Sequence, residues 1–240
     1  MSVIQVIVSD LGKVLLPFEV DRVWRALHPH FDVTLDEARK VVQALFRETR
    51  FGAGGVDGEE FHRRMAERTG LRLPYEAFRV AWSDMFWEDE AVIRLVAEAP
   101  VQKRYLLSNT NDVHWGFIQE RYPHVLQHFD RLVVSHEVQL EKPDPAIYEW
   151  VIRDSGYPAA AHLFIDDVAE NVEGAKSVGM DAVLHTDSER LWREFMARGL
   201  ATEAQRPEHT EVVVATRAED ALWDPHAPGG GHGGGKGATT

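Results

Sequence analysis

From Asp89 onward this chain alternates helix-like and strand-like segments, and that alternation narrows its fold more than any other feature. The spacing predicts helices over 89–99, 113–121, 145–155 and 170–178, and strands over 104–107, 131–135, 162–165 and 182–185. Strands separated by helices return by right-handed crossovers, which gives an α/β fold with a doubly wound parallel sheet. A further strand opens the chain: Val3 to Val8 is a β-branched run broken only by Gln5 and ending in Ser9-Asp10. That is the pattern of a buried parallel strand emerging into a loop.

Residues 17–88 change character and read as a helical insertion. Val20, Val23, Trp24 and Leu27 recur at helical spacing, as do Leu35, Ala38, Val41, Val42 and Leu45, the second set introduced by a Thr34-x-x-Glu37 capping box. A third helix is expected from Asp57, with Glu60 completing an acidic version of that box, and a fourth follows Pro74 through Phe78, Trp82 and Phe86. The sheet domain is therefore expected over 1–16 and 89–200, with a C-terminal extension over 201–224. Glu211 to Ala215 reads as an edge strand, and 225–240, with its two triple-glycine runs, as a flexible tail.

In such sheets ligands bind beyond the carboxyl ends of the strands. Four short segments fall there: Asp10-Leu11-Gly12-Lys13-Val14, Ser108-Asn109, Lys142-Pro143 and Asp166-Asp167. Carboxylates, a hydroxyl and one lysine converging from separate strands suit phosphate and metal chemistry. Each has an ordinary alternative. Ser108-Asn109-Thr110-Asn111 is good turn chemistry, Asp166-Asp167 is placed to cap the helix that follows, and lysines are usually solvated.

Composition excludes several partners. Thirty-nine acidic against twenty-six basic residues give a net charge of −13, which repels a nucleic-acid backbone. With no cysteine there are no disulfides, thiolate metal sites or cysteine nucleophiles, which suits a reducing cytoplasm. Met1-Ser2-Val3-Ile4-Gln5 lacks the basic and apolar regions of a signal peptide, and no apolar run is long enough to span a bilayer. A cytoplasmic protein without membrane partners is expected; its oligomeric state is not legible.

The order and spacing of these motifs resemble the haloacid dehalogenase superfamily over roughly residues 3–200. The likeness extends to Glu141-Lys142-Pro143 and to Asn171 and Gly174 after the paired aspartates. Its capped phosphatases carry a helical insertion after the first motif, and the bacterial glucose-1-phosphatase-like branch shares the Asp-Leu-Gly of residues 10–12. The resemblance implies a Rossmann-like core with a helical cap over 17–88 that closes on substrate. It implies an Mg²⁺-dependent phosphatase acting on a small phosphorylated metabolite, with a sugar phosphate as the analogy. Asp10 would be the nucleophile, passing through an aspartyl phosphate. Ser108 would hydrogen-bond a phosphoryl oxygen, helped by the backbone N–H groups of Asn109 and Thr110, and Lys142 would balance the charge. The cation would be held by Asp10, the Gly12 carbonyl, Asp167 directly, and Asp166 directly or through water.

One position departs from the family pattern. Gly12 stands where a second aspartate usually serves as general acid and base, a loss that typically costs about 10² to 10⁴ in rate. Either the leaving group needs little protonation or another residue supplies the proton, with Lys13, Glu19, Glu48 and His62 as candidates. Two alternatives follow: a haloacid dehalogenase using Asp10 without metal, though those carry Tyr-Gly-Thr where this chain has Gly12-Lys13-Val14, and a non-catalytic phosphometabolite-binding protein. Gly52 to Gly58 has the wrong glycine spacing for a dinucleotide site and reads as a hinge or loop in the cap. The tryptophans read as packing residues, although a Trp or Arg of the cap facing substrate stays open.

Overall fold

The computed structural model describes residues 4–208. The expected edge strand over 211–215, the tail over 225–240 and most of the C-terminal extension lie outside the described residues.

Five parallel strands form one sheet: β1 (Val6–Ser9), β2 (Lys103–Ser108), β3 (Arg131–Val134), β4 (His162–Asp166) and β5 (Asp181–Leu184), in the order β3-β2-β1-β4-β5. The chain moves outward in one direction through β2 and β3 and in the other through β4 and β5, so the topological switch lies between β1 and β4. Alternate side chains of β1 explain the two layers. Ile7 packs into one apolar cluster and Val6 and Val8 into another, and all three are fully buried.

Helices α5 (Glu90–Glu98), α6 (Asp112–Arg121) and α11 (Ser188–Ala197) cover the Ile7 face through Leu95, Ile118 and Phe195. The short helix α7 (Pro123–Leu126) follows α6. Helices α9 (Pro145–Ser155) and α10 (Ala169–Ser177) cover the other face through Tyr148, Val151 and Val172. Three helices go beyond the sequence-based expectation, α7 among them. A second is α11, capped by Asp187, whose side chain accepts from Arg190 N at 2.7 Å. The third is the single turn α8 (Ser135–Val138).

Four helices separate β1 from α5: α1 (Val20–Leu27), α2 (Leu35–Thr49), α3 (Gly58–Thr69) and α4 (Tyr75–Ser83). The capping box at Thr34 and Glu37 forms in both directions. At Asp57 only half of the expected box forms. The Asp57 carboxylate accepts from Glu60 N at 2.9 Å, but Glu60 turns its own carboxylate to Arg63 and Arg64. A charged partner outcompetes a neutral backbone donor for an exposed carboxylate.

Phe86, expected on the fourth helix, lies beyond its end at Ser83. It belongs instead to the segment leaving the insertion, which runs antiparallel to the segment entering it. Trp87 N donates to Pro17 O at 3.0 Å, Glu19 N donates to Met85 O at 3.2 Å, and Phe18 faces Phe86. The two connections thus brace each other.

The glycine-rich stretch is not a free hinge. Phe51–Ala53 forms a buried 3-10 turn, and Gly52 O accepts from Ser135 Oγ at 2.7 Å, joining the insertion to α8. Gly54 sits at φ 71°, and a Cβ there would lie 2.4 Å from the His136 carbonyl oxygen. Only glycine permits both the backbone conformation and the approach.

Candidate active site

The sheet delivers the sequence-selected residues to one place. Asp10 N donates to Ile165 O at 2.8 Å, which continues the β1–β4 ladder one step beyond the strand and fixes the Asp10 side chain above the switch point. Ser108 ends β2 and Asp166 ends β4, so both stand at the same edge of the sheet. Asp10, Gly12, Ser108, Asn109, Lys142 and Asp167 line one cavity of about 430 Å³.

Lys142 is the electrostatic centre. Its Nζ donates to Asp10 Oδ1 at 2.7 Å and to Asp166 Oδ2 at 2.6 Å, and the residue is 1% exposed. Burial opposes the ammonium charge, but the two carboxylates outweigh it and hold the lysine protonated well above its ordinary range. The usual solvated lysine is therefore not what this residue is.

A clamp fixes the backbone that carries it. Asn109 Oδ1 accepts from Lys142 N at 2.9 Å, and Asn109 Nδ2 donates to Lys142 O at 2.8 Å. The phosphate role expected of Asn109 concerns its backbone N–H; its amide side chain serves the lysine loop. On the other side Gly174 lets α10 approach: a Cβ there would lie 2.8 Å from Pro143 O. Replacing Asn109 by Ala leaves two backbone groups of a buried loop unpaired and is expected to lower stability by about 2 kcal/mol, read as a fall in the denaturant midpoint at unchanged slope.

Thr110 departs from expectation. Its N–H, proposed as a phosphate donor, is already given to Ser135 Oγ at 2.9 Å. Ser135 thus ties the loop after β2 to the Gly52 turn of the insertion, a connection across 83 residues that no local pattern signals.

Asp10, Asp166 and Asp167 each bring a carboxylate oxygen within 4.8 Å of the others. Three hard oxygen donors at that spacing fit a divalent cation such as Mg²⁺. They do not contribute equally. Asp166 Oδ2 holds Lys142, while its Oδ1 accepts from Val168 N at 2.9 Å and from Asn171 Nδ2 at 3.0 Å. With both oxygens already accepting hydrogen bonds, Asp166 has less capacity left for a cation than Asp10 and Asp167. The capping alternative is realised only in part, since Val168 occupies the N-cap of α10 and Asp166 merely receives its N–H.

Burial pushes the Asp10 carboxyl up to about 7; Lys142 pulls it down, and Asp166 and Asp167 push it further up. Asp167 rises to about 6 through burial and the nearby Asp166 charge. A bound cation must displace protons from these groups. Mg²⁺ is therefore expected to raise the melting temperature more at pH 7.5 than at pH 5.5, measured by thermal unfolding at matched ionic strength. A shift equal at both values would remove the two carboxylates from the binding site.

Of the four residues considered as a replacement acid, Lys13 lines the cavity, with its Nζ 5.2 Å from the centre of the Phe18 ring. The others are engaged elsewhere: Glu19 with Arg25 at 3.3 Å, Glu48 with Arg68 at 2.8 Å, and His62 with Leu73 O at 2.8 Å. Sequence reading missed Glu141 and His114, which also line the cavity. Burial lowers His114 to about 3, so its imidazole is neutral. Among the described residues no tryptophan lines the cavity; Trp82 packs against Phe61 and Phe78. The insertion and its connections contribute Phe18, Phe46 and Phe86 instead.

Among the described residues no helix is long and apolar enough to cross a membrane. The chain is 27% identical over 201 residues to a D-ribitol-5-phosphate phosphatase of Bacteroides thetaiotaomicron, covering 78% of this chain and 94% of that protein. It superposes on a HAD family enzyme of the same organism, solved in complex with magnesium and inorganic phosphate, with a TM-score of 0.68 and 24% identity over 79% of this chain and 100% of that one. The L-2-haloacid dehalogenase of Xanthobacter autotrophicus gives a TM-score of 0.55 with 20% identity over 87% of this chain and 90% of that one. Both structural likenesses concern the fold. The model of the haloacid dehalogenase-like hydrolases matches residues 4–179, with the switch point and all four motifs inside that span, and the chain is a member of this family of hydrolases.

Proposed function

We propose that this hydrolase is an Mg²⁺-dependent phosphatase that cleaves a small phosphomonoester through an aspartyl phosphate on Asp10. The observation that carries this reading is the buried Lys142 ammonium bridging Asp10 and Asp166 beside a third carboxylate. A dehalogenase that uses one aspartate on carbon has no need of three converging carboxylates. The phosphatase relative, acting on D-ribitol 5-phosphate, supports the same reaction class. The narrower glucose-1-phosphatase-like branch rests on Asp10-Leu11-Gly12 alone.

In this reading Asp10 Oδ attacks phosphorus while the bond to the leaving oxygen breaks and its electron pair stays with that oxygen. Water then attacks the aspartyl phosphate, releasing inorganic phosphate and restoring Asp10. Lys142 holds the Asp10 carboxylate in place, and Ser108, 4% exposed at the end of β2, offers its hydroxyl to a phosphoryl oxygen. Asp10 must be ionised to attack, and its tendency to stay protonated up to about pH 7 opposes this. A divalent cation held by Asp10, Asp167 and the Gly12 carbonyl would supply positive charge that favours the carboxylate and neutralises the phosphoryl oxygens. The helices of residues 20–83 act as the cap, with the Gly52 turn and Ser135 as its contact with the core.

Phosphate release tests the reading. Purified protein incubated with sugar 1-phosphates, sugar 6-phosphates, ribitol 5-phosphate and an aryl phosphate is expected to liberate phosphate with Mg²⁺ and to stop on chelation. Turnover that survives complete chelation would remove the cation from the scheme.

A further inference from the structure

Part of the cavity lining is aromatic. Phe18 lies directly over Gly12: a Cβ at position 12 would meet Phe18 Cε1 at 3.0 Å. A side chain at position 12 would therefore crowd this ring, which would have to shift to admit a second carboxylate. Phe86 packs edge-to-face on Phe18, with centroids 5.7 Å apart and planes at 72°. The paired connections of the insertion hold both rings in place. Met85, Phe46 and Ile118 also line the cavity, Phe46 standing beside Glu141 at the Gly52 turn.

Lys13, Glu141 and Glu170 line the cavity as well, but the polar side chains nearest the aromatic pair are committed. Asn109 is bound at both ends to the Lys142 backbone, and Asn111 Oδ1 accepts from His114 N at 3.0 Å. His114 is neutral, with its Nδ1 beside Ser83 Oγ at 3.1 Å. Sugar hydroxyls pressed against the Phe18 and Phe86 rings would lose water without replacement partners there. A planar ring would instead find the offset and edge-on contacts that aromatic groups prefer.

Leaving-group chemistry points the same way. With no carboxylate at position 12, protonation of the departing oxygen falls to solvent or to Lys13, which lines the cavity, and a leaving group that bears its charge readily depends least on either. A phenolic oxygen, with a pKa of about 10 as in tyrosine, bears that charge far more readily than an alkoxide, whose basicity lies nearer that of hydroxide, about 15.7.

From the ring over Gly12, the aromatic pair and the missing carboxylate, we propose that the substrates are aryl phosphate monoesters, the phosphates of phenols, rather than sugar or polyol phosphates. This inference rests on the phosphatase reading and narrows it. In the reaction the Asp10 oxygen–phosphorus bond forms as the phosphorus–phenoxy bond breaks. The electron pair leaves on the phenolate, which takes a proton from water, and a second water cleaves the aspartyl phosphate.

The test compares kcat/KM with Mg²⁺ for phenyl phosphate, benzyl phosphate, glucose 1-phosphate and ribitol 5-phosphate. Phenyl and benzyl phosphate share a ring and differ in whether the leaving oxygen is phenolic or alcoholic. Phenyl phosphate is expected to exceed each of the others by about 10² or more, the size of a general acid's contribution. The double variant Gly12→Asp/Phe18→Gly makes room for a carboxylate, and it is expected to raise benzyl phosphate turnover at least tenfold and shrink the phenyl-to-benzyl ratio. Phosphate released from ribitol or glucose phosphates as fast as from phenyl phosphate would overturn the inference and leave the phosphatase standing. Release from no substrate at all would overturn both.

Discussion

Replacing Lys142 by Met is expected to remove turnover and to lower the stability of the cation-free protein by about 3–5 kcal/mol, the range for breaking a buried ion pair by deleting one partner. For a domain of this size that is a fall in melting temperature of roughly 10 °C. The methionine fills the volume of the lysine stem, so the loss is electrostatic. Asp10 and Asp166, 8% and 0% exposed, are left facing each other with no cation between them. The sign of the pH dependence follows from linkage. A carboxylate whose folded pKa lies above its unfolded value binds more protons in the folded state, so stability falls as pH climbs from the unfolded value of 3.8. Removing the lysine raises the folded value further. The defect is therefore expected to be small near pH 5, largest near pH 8, and partly repaired by Mg²⁺. In the parent protein the lysine's folded pKa is raised, so its stabilisation is fully present below the ordinary lysine range and is lost only above it. Unfolding curves at three pH values, with and without Mg²⁺, check all of this. A defect independent of pH would mean that Lys142 acts through packing alone.

The contrast between what the sequence showed and what it hid has a physical basis. Strands buried on both faces must be continuously apolar, so β1 and β4 stand out as runs, and a parallel sheet then forces the residues after them to one edge. Asp10, Ser108, Lys142 and Asp166-Asp167 were legible for that reason. Local capping was legible as well, because Thr34 and Glu37 are three residues apart and meet whatever the fold. Contacts across long stretches of chain were not. Nothing near Asn109 announces that it binds the Lys142 backbone 33 residues away, and nothing near Gly52 announces Ser135. Gly12 could be read as a missing carboxylate, but only the antiparallel pairing of Phe18 with Phe86 shows that a ring crowds its place. Of the candidate acids, Glu48 and His62 were plausible as chemistry and are excluded by direction: their partners, Arg68 and the Leu73 carbonyl, belong to the insertion itself. The helix α11 carries a local signal too, since Leu191, Trp192 and Phe195 are buried at helical spacing.

Asp10→Asn is expected to reduce kcat by on the order of 10⁴ or more, the scale on which loss of a covalent nucleophile acts, while the cation-free protein melts no earlier than the parent. The two halves of that prediction separate chemistry from structure. An amide oxygen accepts the Lys142 hydrogen bond as the carboxylate did, and Lys142 keeps its second partner in Asp166 at 2.6 Å. Asn also removes a buried group that strains toward protonation up to about pH 7, so neutral pH no longer penalises the folded state at that position. The Mg²⁺-induced rise in melting temperature is expected to shrink, because one of the three carboxylates of the cluster is gone. Near-normal turnover in the variant would displace Asp10 as nucleophile and leave direct attack of water on phosphorus. Lost turnover together with an early melt would show that Asp10 holds the site together, and would return the choice of nucleophile to the other carboxylates that Lys142 and the sheet edge gather around the cavity.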